Sequence, residues 1–129
     1  MLYVKNLYKS YQTGKNKYQV LNGVDFCVEK GEFVAVMGPS GSGKTTLLNC
    51  ISCYIPFDKG EITIGGTNLA GLDDAGLAHF RNTQLGFVFQ DFMLLDGLTI
   101  RENILVPRIV QGEVSREAEE LADRLTALF

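Results

Sequence analysis

At 129 residues the chain is long enough for one domain with a real core, and 46% hydrophobic with 21% charged residues excludes a disordered tail or a fibre. A net charge of −3, from 15 acidic and 12 basic side chains, offers no global attraction to nucleic acid or anionic lipid. No apolar stretch is long enough to cross a bilayer, Met1 to Asn6 lacks a signal-peptide layout and the cysteine count of 3 is odd, so a cytosolic location is expected.

In chain order, Leu2 to Lys5, Tyr18 to Asn22 and Val24 to Val28 read as strands, the last with Val24, Phe26 and Val28 on one face. Turns are expected at Asn22-Gly23 and Lys30-Gly31. Phe33, Val34, Ala35, Val36 and Met37 are continuously apolar, as in a central strand buried on both faces of a parallel sheet. After a glycine-rich loop, Leu47, Leu48 and Ile51 share one face of a helix. Cys50 and Cys53 lie on the same helix as a Cys-x-x-Cys. With one histidine in the chain and no second cysteine pair, a zinc site cannot be filled locally, and the two are read as packing residues.

Lys59-Gly60 leads into a strand at Glu61 to Ile64, closed by a tight turn at Gly65-Gly66, and Asp73 to Asn82 reads as a short surface helix. Leu85 to Phe89 is a second buried-strand candidate, ending at Gln90-Asp91. Ile100 to Val110 is helix-compatible up to Pro107. Ala118, Leu121, Ala122, Leu125 and Leu128 recur at helical spacing, with Ser115 placed to cap the start and Glu120 four residues before Arg124. The uneven charge, Lys5, Lys9, Lys15 and Lys17 near the start and Glu113, Glu117, Glu119, Glu120 and Asp123 near the end, reads as solvated faces. The sequence stops on Phe129 inside an apolar helix face, which reads as the N-terminal part of a longer protein; a short protein that binds without catalysis is the other reading.

The chemistry sits in Gly38-Pro39-Ser40-Gly41-Ser42-Gly43-Lys44-Thr45, a complete phosphate-binding P-loop between a strand-like run and a helix-like run. Glycines 38, 41 and 43 are expected to take positive φ values and let the backbone approach a polyanion, so that the amides of Ser40 to Gly43 form an anion-binding nest. The helix that follows directs its unpartnered first N–H groups at the same point. Lys44 is aimed at the β and γ phosphates, and Thr45 offers its hydroxyl to Mg²⁺.

With the P-loop, the strand-rich lead and Leu85-Gly-Phe-Val-Phe-Gln-Asp-Phe92 placed, the chain resembles the nucleotide-binding domain of ABC transporters along its whole length. Gly38 to Asn49 and Phe87 to Phe92 are similar to the subgroup that moves lipoproteins, macrolides or antimicrobial peptides, and Leu94 to Leu105 is similar to bacitracin-type exporters. The resemblance implies an α/β fold: a P-loop NTPase core with an N-terminal antiparallel β subdomain and the start of a helical subdomain, incomplete. Its parts would be residues 1–30, 31–92 and 93–129.

By the same resemblance, Gln90 matches the Q-loop glutamine, which contacts Mg²⁺ or the attacking water and senses the membrane partner. Tyr11 matches the aromatic that stacks on adenine, with Tyr8 and Tyr18 as competitors or packing residues, and Thr46 matches the residue that reaches the α phosphate. His79 precedes the Q-loop and is read as a surface residue rather than the family's switch histidine. Asp91 follows Gln90 and is not read as a second Mg²⁺ motif. The implied ligands are ATP and Mg²⁺. The implied partners are a transmembrane permease and a second ATP-binding domain, without nucleic acid, which places the protein on the inner face of the membrane. The signature motif, the strand ending in Asp-Glu and the switch histidine are not among these residues, so the expected chemistry of the chain alone is binding without turnover. A non-catalytic nucleotide-binding fragment and a soluble ABC ATPase acting on nucleic acid or ribosomes are the alternatives.

Overall fold

The computed structural model describes residues 1–89, 91, 93–112 and 114–128. They form two compact units that divide between Leu85 and Gly86.

The first unit is built on a long antiparallel hairpin. β1 (Leu2–Thr13) pairs with β2 (Asn16–Val28) from Leu2↔Val28 to Thr13↔Asn16. β3 (Lys59–Ile64) lies antiparallel along the other edge of β1, and β4 (Thr67–Asn68) follows through Gly65-Gly66, giving the order β2-β1-β3-β4. Alternation of side chains, reset by the register shift between Val4 and Leu7 on β1 and by the extra residue Gly23 on β2, puts Val4, Leu7, Leu21 and Ile62 on the inner face, with Val24 and Phe26 half-buried beside them. Onto that face pack Leu47 and Cys50 of α1 (Lys44–Ile51), Cys53, Leu69 and Phe80 of α2 (Asp74–Gln84).

Several sequence expectations change here. Asn22-Gly23 is not a turn: Gly23, at φ +67°, is the extra residue between the pairs Leu7↔Val24 and Tyr8↔Asn22, a bulge inside one continuous β2. The hairpin closes instead at Gly14-Lys15. On α1, Cys50 rather than Leu48 turns inward; Cys50 is 1% exposed and Leu48 46%. Both cysteines of the Cys-x-x-Cys are packing residues, and burial pushes the Cys50 thiol up to about 11, which makes it a poor nucleophile at neutral pH.

The two expected buried strands are the largest departure. Residues 33–37 and 85–89 form no ladder, and Phe33, Met37 and Val88 are 96%, 88% and 96% exposed. A strand exists only as a member of a ladder, and the sheet β2-β1-β3-β4 does not reach either run. Apolar character therefore reports what these runs are suited to pack against, not what covers them among the described residues.

The second unit is a helical pair, α3 (Ile100–Gln111) and α4 (Arg116–Thr126), meeting at Leu105 and the fully buried Ala122. α3 continues past Pro107, where the sequence suggested a stop, and ends at Gly112 with φ +79°. Its start is a full capping box: Thr99 Oγ1 accepts from the Glu102 amide and the Glu102 carboxylate accepts from the Thr99 amide at 2.7 Å. Ser115 caps α4 as expected, while Glu120 pairs with Arg116 at 2.9 Å rather than with Arg124, and Arg101 pairs with Asp123.

Replacing Thr99 by Ala is expected to cost about 1 kcal/mol of stability, read from urea unfolding. The hydrogen bonds from Thr99 hold the Glu102 carboxyl below its ordinary range, and the Arg101 hydrogen bond does the same for Asp123. Both are depressed carboxylates, so their contribution is fully present above about pH 4.5 and is lost as pH falls through the lowered values. Thr99→Ala should therefore flatten the acid limb of the stability profile; an unchanged acid limb would remove the linkage.

Candidate nucleotide-binding site

The glycine-rich loop runs from Gly38 to the start of α1 at Lys44, and its glycines do different things. Gly41 and Gly43 sit at φ +79° and +91°, the left-handed region the sequence argument requires. Gly38 is not among the positive-φ residues, a correction; a Cβ there would lie 2.9 Å from Ser42 Oγ, so its role is to admit the serine side chain. Gly43 also meets β2 closely. A Cβ on it would lie 3.1 Å from Val20 Cγ1, 3.2 Å from the Val20 carbonyl oxygen and 3.3 Å from Leu21 Cδ2. The hairpin thus supports the loop from behind.

Lys44 turns back across the loop. Its ammonium donates to the Gly38 and Pro39 carbonyls at 2.9 and 2.7 Å and approaches Ser42 Oγ at 3.4 Å. Ser42 N–H donates to the Pro39 carbonyl at 3.3 Å, closing the turn that carries Ser40 and Gly41. One positive charge is held over a ring of backbone atoms, a position open to any anion that can compete with two carbonyls for it.

α1 differs from its fellow helices at its start. α2, α3 and α4 carry side-chain caps from Asp73, Thr99 and Ser115, whereas α1 begins at Gly43 with no side-chain cap. Its first N–H groups face the loop, beside the Lys44 charge. Thr45 is exposed and Thr46 half-buried at this end. The donor set, a charged amine, uncapped amides and two hydroxyls, fits a polyphosphate. Among the described residues no group of three or more His, Cys, Asp or Glu could hold a metal ion. An Mg²⁺ ion here would take Thr45 and phosphate oxygens, which fits a hard cation that keeps much of its water.

Tyr11 lies on β1 opposite Tyr18, both exposed, and the Lys9 ammonium sits 5.5 Å from the centre of the Tyr11 ring. The pair Lys9↔Leu21 borders the strand segment that Gly43 packs against, and Tyr11↔Tyr18 lies two pairs further along. Tyr8 is instead half-buried under Lys59, whose ammonium is 5.6 Å from its ring. Gln90 lies outside the described residues. His79 is exposed on α2, with its carbonyl accepting from Thr83 Oγ1 at 2.9 Å, and Asp91 is exposed in a turn.

Residues 21–128 match the sequence profile of the ABC transporter family. The chain belongs to the ABC transporter family. As an ABC ATP-binding domain it is 55% identical over 120 residues to the ABC transporter ATP-binding protein YxdL of Bacillus subtilis, covering 93% of this chain and 46% of the relative. It is 48% identical over 120 residues to the bacitracin export ATP-binding protein BceA of Halalkalibacterium halodurans, covering 93% and 47%. A solved structure, the ATP-binding cassette MJ0796 as a post-hydrolysis dimer bound to ADP and Pi, superposes with a TM-score of 0.87 at 39% identity, covering 96% of this chain and 55% of that one. The chain spans about half the length of the curated relatives it matches. The ABC fold assignment is thus shown: a P-loop α/β cassette with an antiparallel β lead and helices after it, covering part of the domain.

One cluster of this ABC domain joins residues far apart in the chain. Ser10, Lys9 and Asp58 meet although 48 residues separate Ser10 from Asp58. No local pattern announces such a contact.

Proposed function

We propose that this chain is the nucleotide-holding part of an ABC exporter ATPase, binding Mg-ATP at Gly38 to Thr46 and exporting antimicrobial-peptide or lipoprotein-like substrates through a permease. The observation that carries the reading is the uncapped start of α1, with Lys44 folded over the loop beside it. In this reading Ser40 to Gly43 and Thr46 offer amides or hydroxyls to the phosphates, and Lys44 exchanges its loop carbonyls for β and γ oxygens. Thr45 and Gln90 hold Mg²⁺, which when bound neutralises charge on the phosphates. Tyr11 presents its ring to adenine.

The export direction and substrate class rest on the likeness to a bacitracin export protein. Dimeric cassettes among the solved neighbours support pairing with a second ATP-binding domain. No helix among the described residues is long and apolar enough to cross a membrane. In this reading the permease partner holds the chain at the inner face of the membrane. The surface from Gln90 to Val110 is the one assigned to that partner, and Leu94, Leu95, Ile100, Ile109 and Val110 are exposed there. Residues 1–30, 31–92 and 93–129 are then the β lead, the P-loop core and the start of the helical subdomain.

Gln90→Ala in the full-length protein with its permease should lower transport-coupled ATPase about tenfold or more while leaving Mg-ATP affinity within about twofold. Equal loss of both in coupled-ATPase and equilibrium-binding assays would remove the coupling role. The chain of 129 residues by itself is expected to bind nucleotide without turnover, because the Asp-Glu strand and signature motif are not in it.

A further inference from the structure

Asp58 ends the connection between α1 and β3, and its amide and carboxylate meet one short stretch of β1. Its backbone N–H donates to the Tyr8 carbonyl at 2.9 Å. Its Oδ2 accepts from the Ser10 amide at 2.9 Å and from the Ser10 hydroxyl, and its Oδ1 lies 3.6 Å from the Lys9 ammonium. The regular β1–β3 ladder stops at Tyr8↔Lys59, so Asp58 supplies to Ser10 the acceptor that a further residue of β3 would have supplied.

Lys9 is held by this contact. Its side chain is only 11% exposed, and the ammonium that meets Asp58 also stands over the Tyr11 ring. Lys9 and Tyr11, two apart on a strand, share a face. The cation therefore occupies one side of the ring, while Tyr11 as a whole stays 41% exposed. The Ser10 hydrogen bonds hold the Asp58 carboxyl below its ordinary range, so it remains an anion under working conditions.

We propose that Asp58 is a positioning residue for base recognition: through Lys9 and Ser10 it fixes the Tyr11 ring as a platform for a purine, two strand pairs from the segment that supports Gly43. The inference rests on the reading of Tyr11 as the adenine-facing aromatic and adds the device that holds it. Because the clasp starts in the segment that follows α1, the phosphate loop and the base platform are tied through the same helix. The consequence is selective: losing the clasp lets the ring move, which weakens contact with the base and leaves the phosphate contacts of the loop in place.

The test compares Mg-ATP with Mg-tripolyphosphate, which has the phosphates and no base, by equilibrium binding to the full-length protein. Asp58→Ala is expected to weaken Mg-ATP about five- to tenfold and to change tripolyphosphate less than about twofold, since the lost interaction is stacking. Asp58→Asn, which keeps an acceptor for Ser10 but no charge for Lys9, should fall between; Ser10→Ala provides the same comparison if Asp58→Ala does not fold by circular dichroism. Tyr11→Ala is run alongside. If Tyr11→Ala loses ATP selectively and neither the Asp58 variants nor Ser10→Ala does, or if they weaken both ligands equally, the positioning role is overturned while the Tyr11 reading stands. If Tyr11→Ala shows no selective loss, the Tyr11 reading itself fails and the inference falls with it.

Discussion

Lys44→Ala is expected to lower Mg-ATP affinity about a hundredfold or more, with little change in unfolding midpoint. The Lys44 ammonium already holds two loop carbonyls, at 2.9 and 2.7 Å, and those contacts would be exchanged for phosphate oxygens that carry full charge. Charge-assisted hydrogen bonds contribute about 1.5–3 kcal/mol each, so losing two exceeds the roughly 2.7 kcal/mol that a hundredfold requires. The stability term is small because the loop is exposed and its turn is also closed by the Ser42 to Pro39 bond. Lys44→Arg should fail to restore affinity, since a planar fork cannot occupy the position of a compact ammonium above three oxygens. Calorimetric titration with thermal unfolding on the same samples separates the two effects. A Lys44→Ala protein that binds within threefold of the parent would take Lys44 out of the site.

The largest expected loss of stability is at Gly60. It has φ +109°, and a Cβ there would lie 2.4 Å from the Asn6 carbonyl oxygen and 2.7 Å from that of Lys5. Both obstacles are backbone, held where β1 bulges between the pairs Lys5↔Glu61 and Tyr8↔Lys59, so no side chain can move aside. Gly60→Ala should cost about 3 kcal/mol or more, from strained dihedrals and displacement of β3 from β1, and lower the thermal midpoint by roughly 10 °C. Gly65→Ala is the control: its φ is +58° but nothing lies within 4 Å, so the cost should be about 1 kcal/mol. Equal effects of the two substitutions in thermal unfolding would mean that the close approach at Gly60 does not matter.

Features written in a few consecutive residues were legible. The Gly65-Gly66 turn and the Ser115 cap depend on neighbours within five or six positions, and each forms as read; the glycine-rich loop takes left-handed backbone at Gly41 and Gly43 but not at Gly38. What depends on distant chain was not. The Asn22-Gly23 dipeptide has turn chemistry, yet β1 offers pairing partners on both sides of it, and the ladder absorbs Gly23 as a bulge. Apolar character marked Phe33 to Met37 and Leu85 to Phe89 as buried strands, but burial is a property of what lies opposite, and no ladder reaches them. The inward face of α1 shifted from Leu48 to Cys50 because the β sheet lies on that side, a fact the helix period alone does not contain. At the site, the glycines of the loop were legible as a set, but the separate duty of Gly38, making room for Ser42 rather than adopting positive φ, depends on where the Ser42 side chain folds back. Asp58 was invisible for the same reason: its partners Lys9 and Ser10 lie on a strand 48 and more residues away.

The central claim is that Gly38 to Thr46 forms a working nucleotide site whose turnover depends on residues outside this chain. Titration of Mg-ATP into the 129-residue chain, with inorganic phosphate measured in the same cell, tests it most directly. The expected result is saturable binding at one site per chain and no phosphate release above the buffer rate. Phosphate release well above that rate, or a folded chain that shows no saturable binding, would contradict it.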